Sequence, residues 1–553
     1  MSRRLLACLL ALLSGLAPAA WADDDIATLT DQASHNSISA MLRLGQAYES
    51  GKGVAQDLGQ AALWYQRAAG QDDARAEIAL GSLYLCSQCS QHDPAQALVW
   101  LRKAADQGSA YAENLIGDIY RTGNGVSRDY AQAMSWYRQA AEQDNGEAQF
   151  YIALFYEHGR GVQTDYVQAR QWYEKSVANG YQLSAVMLGQ LYENGLGVAH
   201  DYARALSLFR PAAEQGVALA QSKMGTMYEL GYGVPLDHAE ANRWYKLAAA
   251  QGLADAQLRL GLACEHGYGT PVDYTAAAGW YKQAAAQGDP DGQLYLAGLY
   301  AEGWGLRQDL PTALHLLQLA ANHGNADAEA ELGSFYLLGM GTPADTALGL
   351  QWTRKAIDDG SDTARHNLAF AYQTGLGVAP DQAKALDLER AAAAHHYVLA
   401  YEGIGEHYQK GQGVTPDLAV ARHWYQLGAD AADSDAQYHL ALLMLHGQGG
   451  PADAAQAQRW MIAAARAGHS GALIFLARQQ ADANNPERNT VLADVYFLLA
   501  VNSTKNFSLA ADAGGQDMGG NDRRTLEAGM SEQQKQAAKD VAGKWQEGDV
   551  LPQ

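Results

Sequence analysis

Apolar and polar residues follow a helical spacing along most of the chain. Within 111–146, apolar residues cluster at this spacing from Leu115 to Tyr120 and again from Ala133 to Ala141. This pattern predicts two short helices, each with one apolar face. The same pattern returns every 36 residues, so the predicted unit is a pair of helices that recurs along the chain.

Short polar segments carry the residues that end one helix and begin the next. Gly123 predicts a left-handed end of the first helix, and Gly125 predicts a second tight backbone position. Asp129 predicts the N-cap of the second helix, because its carboxylate can accept hydrogen bonds from first-turn N–H groups. This aspartate recurs from Asp57 to Asp453. The G-x-G pairs begin at Gly51, Gly123, Gly159, Gly195, Gly231, Gly267, Gly303, Gly339, Gly375, Gly411 and Gly447.

Tryptophans follow the same period and extend the repeat over 39–470. Twelve units of 36 residues fill this range without an insertion. A helical hairpin with one apolar face cannot bury that face alone, so each unit must stack on its neighbours. The sequence therefore predicts a solenoid. The tryptophans in register are Trp64, Trp100, Trp136, Trp172, Trp244, Trp280, Trp352, Trp424 and Trp460.

The chain resembles the Sel1-like repeat family, a 36-residue relative of the tetratricopeptide repeat, in the pattern A-x-x-x-L-G-x-L-Y-x-x-G-x-G-V-x-x-D-x-x-x-A-x-x-W-Y-x-x-A-A-x-x-G. The resemblance implies an all-α, right-handed α-solenoid with a concave groove, here of about twelve to thirteen hairpins and a C-terminal capping helix. It also implies a role in holding other proteins, often in bacterial envelope or signalling pathways. Residues 183–218 carry the pattern at Leu188, Gly189, Tyr192, Gly195, Gly197, Val198, Asp201, Ala205, Ala212, Ala213 and Gly216.

The N-terminal 38 residues lie outside the repeats. Residues 1–22 have two arginines, an apolar run of about a dozen residues and the small-x-small end Ala20-Trp21-Ala22. They predict a signal peptide cut after Ala22, and hence a periplasmic or secreted protein. Residues 23–38 are polar and predict an N-terminal lead-in.

The C-terminal region keeps traces of the repeat. Tyr496 lies 36 residues after Trp460, so 471–500 is interpreted as a degenerate thirteenth repeat. Residues 501–522 are rich in Gly, Asp and Asn and predict a flexible loop. In 523–553, Ser531 and Gln534 predict a capping box that opens a C-terminal capping helix, followed by a tail.

Charge and composition limit the classes of partner. The net charge is −22, which argues against nucleic acid and against an anionic membrane surface, because both require a surplus of Lys and Arg. Apolar residues make up 48% of the chain, as in globular proteins. After the signal peptide no apolar run reaches 18 residues, so no membrane insertion of the mature chain is expected. A solenoid needs no dimer for stability, and a monomer is expected.

Cys86 and Cys89 stand where the second unit should have its G-x-G pair. An oxidising compartment favours a disulfide between them that holds this turn in place of the glycines. A redox-active pair or a zinc site with His92 remains an alternative, although Cys86 is expected at a helix C-terminus, where a thiolate is disfavoured.

We find no constellation of catalytic, cofactor-binding or metal-binding residues and expect no cofactor and no enzymatic activity. Penicillin binding or hydrolysis has been ascribed to some related secreted Sel1-like proteins, but this chain has no S-x-x-K followed by the companion β-lactamase motifs. The leading function is a scaffold in envelope signalling or assembly that binds a protein or peptide. The alternatives are an enzyme or binder acting on cell-wall peptide or β-lactam, and a carbohydrate-binding module that uses aromatics such as Trp304.

Three positions of the first helix vary widely between repeats and fall at i, i+3 and i+7, so they share a face. We predict that this stripe lines the groove and binds the partner; the alternative is a solvated surface whose residues vary freely. The candidate residues are Tyr151, Leu154, His158, Met187, Gln190, Asn194, Lys223, Leu230, Arg259, His266, Tyr295 and Glu302.

Overall fold

The structure is a computed structural model that describes residues 26–87, 89–486, 488–504, 520–545 and 551. These residues form helices and connecting turns, with no strand among them. The helices are α1 (Ile26–Ser34), α2 (Ile38–Ser50), α3 (Leu58–Ala69), α4 (Ala74–Leu85), α5 (Pro94–Asp106), α6 (Ala110–Thr122), α7 (Tyr130–Glu142), α8 (Gly146–His158), α9 (Tyr166–Ala178), α10 (Gln182–Asn194), α11 (Tyr202–Glu214), α12 (Ala218–Leu230), α13 (His238–Ala250), α14 (Ala254–His266), α15 (Tyr274–Ala286), α16 (Pro290–Glu302), α17 (Leu310–Asn322), α18 (Ala326–Leu338), α19 (Thr346–Asp358), α20 (Asp362–Thr374), α21 (Gln382–Ala393), α22 (Val398–Lys410), α23 (Leu418–Asp430), α24 (Ser434–Leu445), α25 (Ala454–Arg466), α26 (Ser470–Ala481), α27 (Thr490–Thr504), α28 (Gly520–Glu527) and α29 (Glu532–Ala542).

Helices α2 to α25 form twelve consecutive hairpins, which confirms the predicted all-α solenoid. Buried apolar clusters connect each hairpin shown below with the hairpin that follows it. Leu101 of α5 shares a buried cluster with Ile116 of α6, and Tyr137 of α7 shares the next one with Ile152 of α8. The second helix of each of these repeats therefore buries its apolar face against the first helix of the following repeat.

The predicted caps are present in the repeat that includes α6 and α7. Gly123 has φ 74° and ends α6 with a hydrogen bond from its N–H to the Ile119 carbonyl. Asp129 accepts hydrogen bonds at 2.9 and 3.0 Å from the N–H groups of Ala131 and Gln132. The equivalent aspartate caps the second helix in all twelve repeats, from Asp57 to Asp453.

The chain divides between Leu253 and Ala254 into two compact units. Unit 1 contains α1 to α13, and unit 2 contains α14 to α29. Within unit 2, α16 contacts α14 on one side and α18 on the other, and α18 also contacts α20. The first helices of these repeats therefore lie side by side and present one continuous face.

The chain ends differ in detail from the sequence expectations. The lead-in over 23–38 contains α1, whose Leu29 and Ala33 are buried. Within 501–522, where a flexible loop was expected, residues 501–504 belong to α27 and residues 520–522 belong to α28. One helix was expected in 523–553. The structure has α29 there and also most of α28. The predicted signal peptide over 1–22 and residues 505–519 of the predicted loop lie outside the described residues.

Helix α29 packs on α27, beyond the twelve hairpins. Ser531 and Gln534 form the predicted capping box at the start of α29. Ala538 and Ala542 of α29 are buried in one cluster with Tyr496 and Phe497 of α27. The interpretation of 471–500 as a thirteenth repeat remains a prediction, although α26 and α27 do pair there.

Candidate partner-binding face

The predicted stripe residues lie on α8, α10 and α12 of unit 1 and on α14 and α16 of unit 2. They are not equally accessible. His158, Asn194, Leu230, His266 and Tyr295 are exposed, whereas the other seven are half-buried. Leu230 keeps 47% of its surface exposed.

Packing holds Tyr151 in place. Its ring stacks on Tyr137 with centroids 5.2 Å apart, and the guanidinium of Arg121 lies 4.5 Å from its ring centroid. Arg121 also forms an ion pair with Asp118, with a distance of 2.6 Å between a guanidinium nitrogen and Oδ1. Tyr151 therefore has a structural role in addition to any part in binding.

Lys223 likewise makes a contact within the protein. Its Nζ lies 3.0 Å from Oε2 of Glu193 in the preceding repeat, and both side chains are largely buried. A lysine held in this way stabilises the stacking of two repeats, a role that the variability of its column did not indicate.

Sequence reasoning missed a series of buried tyrosine–carboxylate contacts. The Tyr281 hydroxyl of α15 donates a 2.6 Å hydrogen bond to Glu265 of α14. Tyr173 and Glu157 make the same contact at 2.5 Å, and Tyr65 and Glu49 at 2.7 Å. Burial, followed by the Glu157 carboxylate, raises the pKa of Tyr173 well above its usual range. The constant separation of 16 residues was the available signal.

A cavity of about 310 Å³ opens on the first-helix face of unit 2. It involves four consecutive first helices, α14, α16, α18 and α20, and the loop after α16. Two predicted stripe residues, Tyr295 and Glu302, line it. The full lining is Glu265, Leu294, Tyr295, Gly298, Leu299, Glu302, Trp304, Asp327, Glu331 and Thr363.

The cavity exists because α16 has a glycine at a stripe position. Gly298 occupies the column in which the preceding repeat has Leu262. A Cβ at Gly298 would meet no atom within 4 Å. Tyr295 forms one wall and is held by stacking on Tyr281, with ring centroids 5.4 Å apart. Trp304 forms another wall and packs on Tyr274, with ring centroids 5.1 Å apart.

The cavity is strongly acidic. Its lining contains the carboxylates of Glu265, Glu302, Asp327 and Glu331 and has no Lys, Arg or His. Burial, followed by the charges of Asp327 and Glu302, raises the pKa of Glu331 to about 6. Glu331 has no hydrogen bond or ion pair with any described residue.

Cys86 and Cys89 form a disulfide in the structure, with their Cα atoms 5.3 Å apart. Cys86 is the C-cap residue of α4 and donates its N–H to the Leu83 carbonyl. The Cys89 N–H in turn donates to the Cys86 carbonyl at 3.1 Å. The bridge lies in the turn where the other repeats have glycines.

No helix among the described residues has both the length and the apolar character needed to cross a membrane. No group of three or more His, Cys, Asp or Glu among these residues is close enough to hold a metal ion.

Comparisons with known proteins agree on the repeat. The sequence model of the Sel1 repeat matches twelve segments: residues 38–73, 74–109, 110–145, 146–181, 182–217, 218–253, 254–289, 290–325, 326–361, 363–397, 398–433 and 434–469. No curated protein sequence matches the chain.

Two solved structures are similar at about 30% identity. One is a protective antigen present in uropathogenic Escherichia coli strains and displaying an SLR fold. It is 30% identical with a TM-score of 0.57, and the match covers 90% of this chain and all of that one. The other, a Sel1 repeat protein from Oxalobacter formigenes, is 31% identical with a TM-score of 0.44, over 56% of this chain and 90% of that one.

Proposed function

Because the chain belongs to the Sel1 repeat family, we propose that it is a periplasmic or secreted scaffold that holds a partner protein or peptide on its first-helix face. The observation that carries the proposal is the cavity on this face, where α14, α16, α18 and α20 contribute to one concave site. Concave sites with a few convergent polar groups are the usual places of recognition.

Exposed apolar residues on first helices of each unit support the proposal. Leu230 of α12 and Leu338 of α18 occupy the same column in different units and are 47% and 42% exposed. Apolar side chains exposed at a constant repeat position offer anchors for a partner. The stripe is therefore suited to a protein or peptide ligand.

An exported location is part of the proposal. The 30% identical relative from uropathogenic Escherichia coli strains is described as a protective antigen. Residues 1–22 have the composition of a cleavable signal. N-terminal sequencing of the protein from the producing cells should begin at Asp23; an intact Met1 in the periplasmic or secreted fraction would contradict the predicted cut.

The test is affinity capture with the mature chain, 23–553, from envelope extract and culture medium of the producing organism. The face variant carries Leu230→Glu and Leu338→Glu. The matched control carries Leu247→Glu and Leu319→Glu, two leucines on second helices that are 51% and 36% exposed. Both variants add the same charge at half-exposed leucines.

We expect one protein to be retained in near-stoichiometric amount by the wild-type chain and the control, and at least about tenfold less by the face variant. Equal retention by all three chains would contradict binding on this face. Retardation in a polysaccharide gel, or turnover of cell-wall peptide, with no protein retained would favour the carbohydrate-binding or the enzymatic alternative.

A further inference from the structure

The cavity around Gly298 has the chemistry of a site for an organic cation. Its four carboxylates and two aromatic rings surround a space of about 310 Å³. This volume is at the lower end of ligand pockets, which suits one long side chain better than a large ligand. The lining provides no cation of its own.

Glu331 gives the strongest reason to expect a positive ligand. Glu331 is half-buried, and partial loss of hydration disfavours the charge of a carboxylate unless a counter-charge or hydrogen bonds compensate it. Glu331 has neither from a described residue, and two further carboxylates, Asp327 and Glu302, already raise its pKa. A cation bound next to Glu331 would offset this repulsion.

The aromatic walls favour an organic cation over a metal ion. Within the described part of the chain, no three acidic or histidine side chains lie close enough together to hold a metal. Tyr295 and Trp304 line the cavity, and aromatic rings attract guanidinium and ammonium groups. A planar guanidinium can stack on such a ring and also donate in pairs to carboxylates, which an ammonium cannot do.

We propose that this cavity binds an arginine side chain of a partner peptide, with the guanidinium between Tyr295 or Trp304 and the carboxylate of Glu331. The inference rests on the proposed scaffold function and names the chemistry of its ligand. An acidic cavity on a protein with a net charge of −22 fits a basic partner segment.

The experiment uses defined probes and the mature chain, 23–553. The probe is the blocked pentapeptide acetyl-Gly-Gly-Arg-Gly-Gly-amide, and its control has citrulline, which is uncharged and nearly isosteric. n-Propylguanidine, which has the three methylenes and the single charge of the arginine side chain, serves as a free guanidinium without a peptide. Binding is measured by calorimetry and by ligand-observed NMR at pH 7.5.

Two glycines provide matched variants. Gly298→Leu fills the cavity, and Gly279→Leu places the same side chain on α15, where a Cβ also meets no atom within 4 Å. Both glycines lie inside helices, so neither change requires a left-handed backbone. Glu331→Gln removes the charge and keeps the shape; it remains informative if Gly298→Leu impairs folding, which circular dichroism would reveal.

We expect the arginine peptide to bind at least about tenfold more tightly than the citrulline peptide, a difference of about 1.4 kcal/mol. Gly298→Leu and Glu331→Gln should each weaken it by about tenfold or more, and Gly279→Leu should leave it unchanged. Equal binding of the two peptides, or binding insensitive to Gly298→Leu and Glu331→Gln, would overturn the inference. Tighter binding of n-propylguanidine than of the peptide would overturn its peptide part.

The inference and the scaffold function can fail separately. If a captured partner is lost with the leucine face variant but is retained by Gly298→Leu and Glu331→Gln, the scaffold stands and the arginine site does not. If the arginine peptide binds as expected and no partner protein is found, the site stands and the scaffold function does not.

Discussion

The Tyr173 hydroxyl of α9 donates a 2.5 Å hydrogen bond to the Glu157 carboxylate of α8. Tyr173 is fully buried, and this contact joins the middle of α9 to the C-terminal end of α8. The following repeat has Phe209 in place of the tyrosine, and Phe209 is buried equally well. There the corresponding Glu193 pairs with Lys223 of the next repeat.

Tyr173→Phe should therefore destabilise its hairpin without a steric change. We expect a loss of about 1–2 kcal/mol, because Glu157 loses a hydrogen bond in a partly buried position. Hydrogen exchange of the α8 and α9 amides would measure the loss locally, since a solenoid can open repeat by repeat. Phe209→Tyr is the control and should not accelerate exchange in α10 and α11. Unchanged protection in Tyr173→Phe would mean that the contact adds no stability.

Lys223→Met tests whether this stripe residue is structural. Its removal leaves Glu193 without this counter-charge, and both side chains are largely buried. We expect denaturant unfolding to show a loss of about 1–2 kcal/mol, between the values for exposed and fully buried pairs. Lys246→Met on the exposed face of α13 should change stability by less than about 0.5 kcal/mol. Equal stability of the two variants would return Lys223 to the candidate binding residues.

Gly197→Ala should be much more damaging than Gly180→Ala. Both glycines have positive φ, 64° and 83°, so both substitutions carry the backbone strain of the left-handed region. A Cβ at Gly197 would lie 2.5 Å from the backbone carbon of Tyr166, whereas at Gly180 it would meet nothing within 4 Å. We expect the free energy of unfolding to fall by about 1 kcal/mol in Gly180→Ala and by at least about twice that in Gly197→Ala. The shifts in thermal midpoint would measure both losses. Equal shifts would show that the backbone relaxes around the methyl group.

Glu402 of α22 should make stability depend on pH. Burial, and after it the neighbouring carboxylates beginning with Glu406, raises the pKa of Glu402 to about 8. The native state therefore holds this proton more tightly than the unfolded chain, whose glutamate titrates near 4.3. Stability linked to this group is fully present below about pH 4.3 and is lost as pH rises towards 8.

Glu402→Gln should remove this loss. We expect the variant to exceed the wild type by about 1–2 kcal/mol at pH 8.5 and by much less at pH 5, where the native carboxyl is already neutral. His439 lies 3.6 Å from Glu402, but burial lowers the pKa of His439, so the imidazole is mostly neutral at pH 8.5. Glu214→Gln, at an exposed glutamate of α11, is the control and should differ equally from the wild type at both pH values. A Glu402→Gln difference that is constant with pH would contradict the raised pKa.

The sequence by itself determined the repeat, the helices and the residues at their ends. A 36-residue period fixes which positions face the same side, and a helix cap depends on residues within a few positions of it. That is why the Asp129 column and the glycine at 123 were assigned correctly. Such local rules do not depend on how neighbouring hairpins are oriented.

Only the tertiary structure decided which side chains of different repeats meet. Lys223 and Glu193 are 30 residues apart in sequence and 3.0 Å apart in space. Glu331 and Gly298 belong to different repeats and border one cavity. Periodicity places such residues on one face, but their separation depends on the packing between hairpins and on side-chain size, here the missing side chain of Gly298. A contact between repeats is therefore a property of the stacked solenoid and cannot be derived from one repeat.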